Sequence, residues 1–395
     1  MNLAARLRDL SLLSASTITI IGTTVIAASL PQMAEAFAGQ AHAAFLVKIA
    51  LTLPALAAGI AALSTGWAIE RVGRKRLFVA ALALYALAGA AGYALQSLPA
   101  LLLSRFALGL SIAAIMTCAT TLIADYAQRD GLGGALGRQS LFMALGNIVF
   151  VFLGGVLAGV HWRLPFLIYL VALAILPGVA WLVRDLPAAP AAGASQRPSL
   201  RTAAPICALG LANMLAYFMV PVYLPFHLRG FPDASSVRVG SLLALVGLAW
   251  GAASLAYPRA AARLRHGQVL ALGFGLSGAG LLLLGGAGDY PQACLGLVAI
   301  GFGLGMNVPN FNAWMLSRTP APARARAIGW LVCCVFLGQF FSPVLTQPLV
   351  AALGIGPAYL AAGAAALAVA AGALALSART RQSAATQSPV PRSAP

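Results

Sequence analysis

The groups that could do chemistry are few. The 395 residues hold eight carboxylates: Asp9, Glu35, Glu70, Asp125, Asp130, Asp185, Asp233 and Asp289. The four histidines (His42, His161, His227, His266) are isolated, and the five cysteines (Cys118, Cys207, Cys294, Cys333, Cys334) form no C-x-x-C pair. No metal-ligand spacing is visible, and no nucleophile has a base beside it. The pattern argues against an enzyme, and against any cofactor, metal or disulfide. What remains is the chemistry of single charges at the edges of apolar runs. Glu35 and Asp125 stand where a carboxylate could exchange a proton as its surroundings change. Arg105, followed by 19 uncharged residues, must face protein or water, or snorkel to a headgroup layer.

The elements that hold these charges follow from composition. The chain is 61% hydrophobic and only 8% charged, with mean hydropathy +0.90. Soluble domains carry roughly a quarter charged residues, so an ordinary soluble fold is excluded. Runs free of Asp, Glu, Lys and Arg lie at 10–34, 49–69, 77–104, 106–124, 139–162, 164–183, 202–228, 239–258, 266–288, 290–317 and 327–378. Ten of the eleven are 19 to 28 residues long, and each suits one crossing of a bilayer. The last, of 52 residues, is broken by Gly354-Ile355-Gly356-Pro357, which makes two of it. Twelve transmembrane helices are expected.

Twenty of the 25 Lys and Arg residues fall on the side that carries the N-terminus. The exceptions are Lys48, Arg105, Arg163, Arg229 and Arg238. The positive-inside rule then places both termini in the cytoplasm, in a membrane of the bacterial inner type. The net charge of +17 needs no nucleic acid, because these clusters meet anionic headgroups. Arg6 and Arg8 ahead of an apolar run resemble a secretory signal, but the run is too long and eleven more spans follow, so it reads as a retained helix.

Residues 185–202, rich in Pro, Ala and Ser, predict a cytoplasmic linker between six-helix bundles at 1–184 and 203–377. The polar tail 378–395 is expected to be disordered. The halves look alike. At an offset of 192, Gly109 falls on Gly301, Ala135-Leu136-Gly137 on Ala327-Ile328-Gly329, and Leu145-Gly146-Asn147 on Leu337-Gly338-Gln339. At 194, Leu30-Pro31 falls on Leu224-Pro225. The fold class is therefore an all-α integral membrane protein of two pseudo-symmetric bundles.

Between the second and third spans stands Gly66-Trp67-Ala68-Ile69-Glu70-Arg71-Val72-Gly73-Arg74-Lys75-Arg76. Gly66 is expected at a close helix contact and Gly73 at a tight turn. Glu70 would accept hydrogen bonds, while Arg74 and Lys75 meet headgroups or a carboxylate. This segment resembles the major facilitator superfamily loop G-x-x-x-[DE]-R-x-G-[RK]-[RK], and the resemblance extends over the whole chain. It implies that Gly66, Glu70, Arg71, Gly73 and Arg74 form a conformational latch. A basic turn that only fixes topology is the plainer alternative. The loop between the eighth and ninth spans (Arg259, Arg263, Arg265, His266) keeps the basic charge alone.

Leu103-Ser104-Arg105-Phe106-Ala107-Leu108-Gly109 resembles the family's R-x-x-x-G segment, which implies a part in proton transfer for Arg105. Of the antiporter signature G-P-x-x-G-G, the fifth span keeps only Gly154-Gly155. Trp162-Arg163-Leu164-Pro165-Phe166 and Ala28-Ser29-Leu30-Pro31 are similar to twelve-helix efflux members. The resemblance thus implies a carrier that exports small amphipathic drugs or metabolites by proton antiport. An uncoupled facilitator, or a symporter importing a sugar or organic acid, shares the same fold, and a membrane sensor or enzyme is a remote alternative.

Polar residues inside spans mark either interhelical glue or a cavity lining. They are Thr24 and Gln32 in the first span, Asn147 in the fifth, Asn213 and Tyr217 in the seventh and Trp250 in the eighth. Asn307, Asn310 and Trp314 share one face of the tenth, and Gln339 lies in the eleventh. The expected partners are a small-molecule substrate, protons and the lipid bilayer, with the chain acting as a monomer.

Overall fold

Backbone N–H and C=O groups in lipid must be satisfied within the segment that crosses it, so the apolar runs close into helices. The computed structural model describes residues 3–126, 132–183, 199–320 and 323–386. Its α-helices are α1 (Leu3–Ile21), α2 (Leu30–Ala36), α3 (Ala43–Val72), α4 (Arg74–Ala91), α5 (Leu98–Tyr126), α6 (Leu132–Val160) and α7 (Val171–Leu182) in the first half. The second half holds α8 (Leu200–His227), α9 (Ser236–Arg263), α10 (His266–Gly285), α11 (Tyr290–Arg318), α12 (Arg324–Leu353) and α13 (Ile355–Thr386).

Among the described residues, ten helices are long and apolar enough to span a membrane. The other two crossings have local reasons to fall short. The first opens with Arg6, Arg8 and Asp9 within the 19 residues of α1, and then breaks into a 3-10 turn at Ala27–Ser29 and α2. Gly22-Thr23-Thr24-Val25-Ile26 disfavours helix through glycine and a β-branched run, and both threonine hydroxyls turn back onto the Ile20 carbonyl at 3.4 Å. The second is α4, which opens on Arg74-Lys75-Arg76 and so carries three charges in 18 residues.

Two expected helix breaks occur where glycine alone fits. Gly73 (φ +88°) separates α3 from α4, and Gly354 (φ +89°) separates α12 from α13. Helix α3 extends well beyond the uncharged run, so Lys48 lies within it. The tail differs from expectation at its start: α13 continues to Thr386, since Ala378, Arg379, Arg381 and Gln382 favour helix. The rest of the tail, Arg184 and residues 185–198 of the linker lie outside the described residues.

The helices pack as a twofold repeat. Helix α3 packs on α5 as α9 packs on α11, α1 on α6 as α8 on α12, and α4 on α7 as α10 on α13. The register predicted from sequence holds at atomic contacts. A Cβ at Gly109 would strike the Pro54 carbonyl and Ala57, and a Cβ at Gly301 would strike the Val246 carbonyl and Ala249, each 192 positions on. The halves meet along two seams, α3 with α12 and α6 with α9, which the same repeat interchanges.

Candidate functional site

The two seams are not closed evenly along their length. The face opposite the chain ends is called distal here. Close to it, three described hydrogen bonds cross between the halves. Arg229 Nη2 donates to Glu35 Oε1 at 2.7 Å, Gln32 Nε2 to Ser236 Oγ at 3.5 Å, and Lys48 Nζ to Gln347 Oε1 at 2.8 Å. On the α6–α9 seam, Gly155 and Gly240 lie backbone against backbone, and a Cβ at Gly155 would stand 2.6 Å from the Gly240 Cα. Midway along, Gly59 meets Phe336 and Gly247 meets Asn147. Toward the face bearing the chain ends, a Cβ at Gly66 or at Gly329 would meet nothing within 4 Å. The close contact expected of Gly66 is therefore absent in this conformation: its side of α3 is exposed.

The loop motif is engaged inside its own half. Arg74, at the start of α4, forms an ion pair with Asp125, near the end of α5. A residue read as a latch and one read as a proton carrier are thus partners, half-buried at the face bearing the chain ends. Arg71 lies over the Trp67 ring one turn earlier, 4.2 Å from its centroid. The side chain of Glu70 lies outside the described residues.

Arg105 resolves the alternatives left open by its sequence. It is fully buried, with no part in a headgroup layer. Its Nη2 donates to the Ala88 and Gly89 carbonyls of α4 at 2.9 and 2.7 Å. The guanidinium lies 5.0 Å from the Phe166 and Tyr169 centroids. These rings come from the 3-10 segment Leu164–Leu170 that leads into α7. Among the described residues, Nε and Nη1 have no hydrogen-bond partner.

The polar residues divide between seam and bundle. Thr24 and Asn147 lie within 3.4 Å of each other beside the α6–α9 seam. Gln32 and Gln339 each keep a buried amide oxygen without a partner. Tyr217 meets Trp250 edge-on at 6.2 Å. Asn307 donates to Asn213 Oδ1 at 2.9 Å, tying α11 to α8. Asn310 instead holds the start of α10. Its Nδ2 donates to the His266 carbonyl and its Oδ1 lies 2.8 Å from His266 Nδ1. Trp314 stacks on the same histidine ring at 6.2 Å. Asn213 and Tyr217 line a small, mainly apolar cavity within the second bundle, with Phe274, Ser277 and Ile300.

Sequence reasoning missed Lys48, Arg229 and Gln347 as seam residues. Lys48 carried a signal, since it stands in an otherwise apolar helix on the basic-poor side. Arg229 and Gln347 carried none, because their roles depend on what faces them from the other half. Among the described residues, no cluster of His, Cys, Asp and Glu could hold a metal.

Two repeated six-helix bundles, bonded to each other near one face, have the architecture of a membrane transporter. The sequence agrees: the model of the Major Facilitator Superfamily matches residues 12–266 and 206–394. The chain belongs to that family. A D-xylose-proton symporter superimposes with a TM-score of 0.75 at 16% identity, over 92% of this chain and 96% of that one. The nucleoside transporter NupG gives 0.77 at 12%, over 95% and 99%. A bacterial homologue of the human lysosomal transporter Spinster, in an inward-facing and unoccupied conformation, gives 0.69 at 14%, over 95% of each chain. No curated protein matches the sequence.

Proposed function

We propose that this protein is a secondary carrier that exports small amphipathic compounds in exchange for protons. Residues 1–184 rock against 203–377 as rigid bundles, with a substrate entering between them. The observation that carries the reading is that the described hydrogen bonds between the halves, Glu35–Arg229 and Lys48–Gln347 among them, gather near the distal face, while Gly66 and Gly329 toward the other face border open space. The bias of Lys and Arg toward the face bearing the chain ends puts that face in the cytoplasm of a bacterial-type inner membrane. In this reading the bonded distal face is the outer one. Thr24, Gln32, Asn147 and Gln339, with Tyr217 and Trp250, supply sparse amides and aromatic surface to a mostly apolar path, a lining suited to amphipathic ligands of varied shape.

Of the three coupling candidates, Glu35 has the geometry the task requires. Its partner Arg229 belongs to the other half, so its surroundings change when the outer face opens. Asp125 pairs with Arg74, and Arg105 with α4, inside one rigid half, so those contacts travel with the bundle. Glu70 and Arg74 act as the latch when the cytoplasmic face closes.

The test uses inside-out membrane vesicles acidified by respiration, to which dyes, antibiotics and small acids are added while lumenal pH is followed. A compound-triggered loss of lumenal acidity in the parent, absent in Glu35→Gln at matched expression, is the expected result. Labelled compound that equilibrates without proton movement would refute antiport and leave a facilitator. Protons travelling in the same direction as the compound would mark symport.

A further inference from the structure

Lys48 is a buried cation for which the mechanism above uses only the bond across the seam, not the charge. It lies five residues into α3, about 8 Å below the distal end of the helix, and is 7% exposed. Among the described residues, the only hydrogen bond of its ammonium runs to the Gln347 amide oxygen at 2.8 Å. The ammonium also lies 4.7 Å from the Tyr223 centroid and 5.2 Å from that of Phe226. No carboxylate pairs with it among the described residues; Glu35, on the neighbouring α2, is committed to Arg229. The Tyr223 hydroxyl, itself held by Thr346 at 3.0 Å, lies 3.4 Å from the same Gln347 oxygen. One neutral oxygen thus accepts from two donors at a spot walled by aromatic rings.

These groups do not move together. Lys48 belongs to the first half; Tyr223, Phe226, Thr346 and Gln347 belong to the second. When the distal face opens, Lys48 loses its only acceptor and keeps its charge in a cleft with no free carboxylate beside it. An ammonium in that position requires an anion or water, and an aromatic wall favours an anion with an apolar body. We propose that Lys48, with the Tyr223 hydroxyl, is the outer binding point for the carboxylate of an amphipathic substrate, and that the Gln347 oxygen takes the carboxylate's place when the gate shuts empty. This rests on the carrier reading and narrows its substrates to organic anions.

The test reads the charge preference of the site without a known substrate. The five native cysteines are replaced by serine, Gln347→Cys is introduced, and the purified protein is placed in phosphatidylcholine liposomes. The introduced thiol is treated with two membrane-impermeant methanethiosulfonates, one bearing a sulfonate and one a trimethylammonium. The anionic reagent should react faster by about tenfold or more, as expected for a cation focused in a low-dielectric cleft. Benzoate should slow that reaction and benzamide should not. Lys48→Arg should keep the preference and Lys48→Met should abolish it, each variant eluting as the parent does on size exclusion. Equal rates for the two reagents, a preference that survives Lys48→Met, or no labelling by either reagent would overturn the proposal. So would phosphatidylglycerol protecting the thiol as fully as benzoate, which would make a lipid headgroup the occupant. Compound-driven flux in the parent is measured separately, so the carrier reading and the anion site can fail independently.

Discussion

Lys48 Nζ lies 2.8 Å from Gln347 Oε1 across the α3–α12 seam, and the repeat that relates the halves puts Gly240 and Gly155 at these two positions in the other seam. Equivalent places thus carry opposite chemistry. On one side two glycine backbones meet with no side chain between them, a contact governed by shape. On the other an ammonium is held by an amide oxygen, a contact whose strength depends on what else can reach it. The distal contact between the halves is therefore a close-packed glycine contact paired with a polar clasp, despite the symmetry of the fold.

The glycine contact makes a direct prediction. A methyl at Gly155 would stand 2.6 Å from the Gly240 Cα and 2.8 Å from the Ser236 carbonyl, and neither backbone atom can turn away. Gly155→Ala should force the α6–α9 seam apart near the distal face, at a cost of about 1–3 kcal/mol typical of overpacking. Spin labels at the exposed positions Ala38 and Ala234, one in each half, should report a longer distance in the variant than in the parent. An unchanged distance distribution would mean that the seam absorbs the methyl elsewhere.

The Arg74–Asp125 pair should be worth little to stability, because Asp125 keeps 34% of its side chain exposed and exposed pairs contribute about 1 kcal/mol or less. Its consequence should fall on transport. Asp125→Asn leaves Arg74 free to take another partner at the face that must close, so flux should drop while thermal stability barely moves. Restoring the pair with opposite polarity, Arg74→Asp with Asp125→Arg, should recover most of the lost flux. If the single variant transports normally, the pair is only a surface contact.

Gly354 separates backbone strain from crowding. A Cβ there would meet only Pro357 Cδ, at a comfortable 3.9 Å, yet φ +89° with ψ 171° belongs to a region reserved for glycine. Gly354→Ala should therefore cost about 1–3 kcal/mol from strain alone. The effect should appear as a lower midpoint of thermal aggregation in detergent, with the oligomeric state and the α12–α8 packing unchanged.

How far the sequence reveals this protein depends on the range of each interaction. Gly73 and Gly354 are legible because the conformational demand is local and glycine alone meets it. The repeat is legible because Gly109 and Gly301 must both admit a facing helix, and duplication preserved the spacing. Asn310 and Trp314 are half legible: i, i+4 spacing shows that they share a helix face, but His266 as their common neighbour comes from tertiary packing. Gly66 misleads for another reason: glycine in a helix signals room for a neighbour without requiring one, and here the position is exposed. Lys48 is legible as an anomaly and illegible as a clasp, because Gln347 lies some 300 positions away.

Arg105 shows how a charge can be kept at depth without a carboxylate. Two carbonyls of α4 accept from one of its nitrogens, and two aromatic faces from the segment before α7 flank the guanidinium, so a single side chain joins three crossings. Planarity matters here as much as charge, because only a flat group fits between the rings while it reaches both carbonyls. Arg105→Lys keeps the charge and loses the fit; it should destabilise the first bundle by about 2–4 kcal/mol, the scale of a charge-assisted hydrogen bond with desolvated cation–π contact. Arg105→Met removes the buried charge altogether and should be no worse than lysine, since the carbonyls remain available to their own helix. Thermal unfolding of the three proteins in one detergent decides the order. Lysine more stable than methionine would show that charge, and not shape, holds the three crossings together.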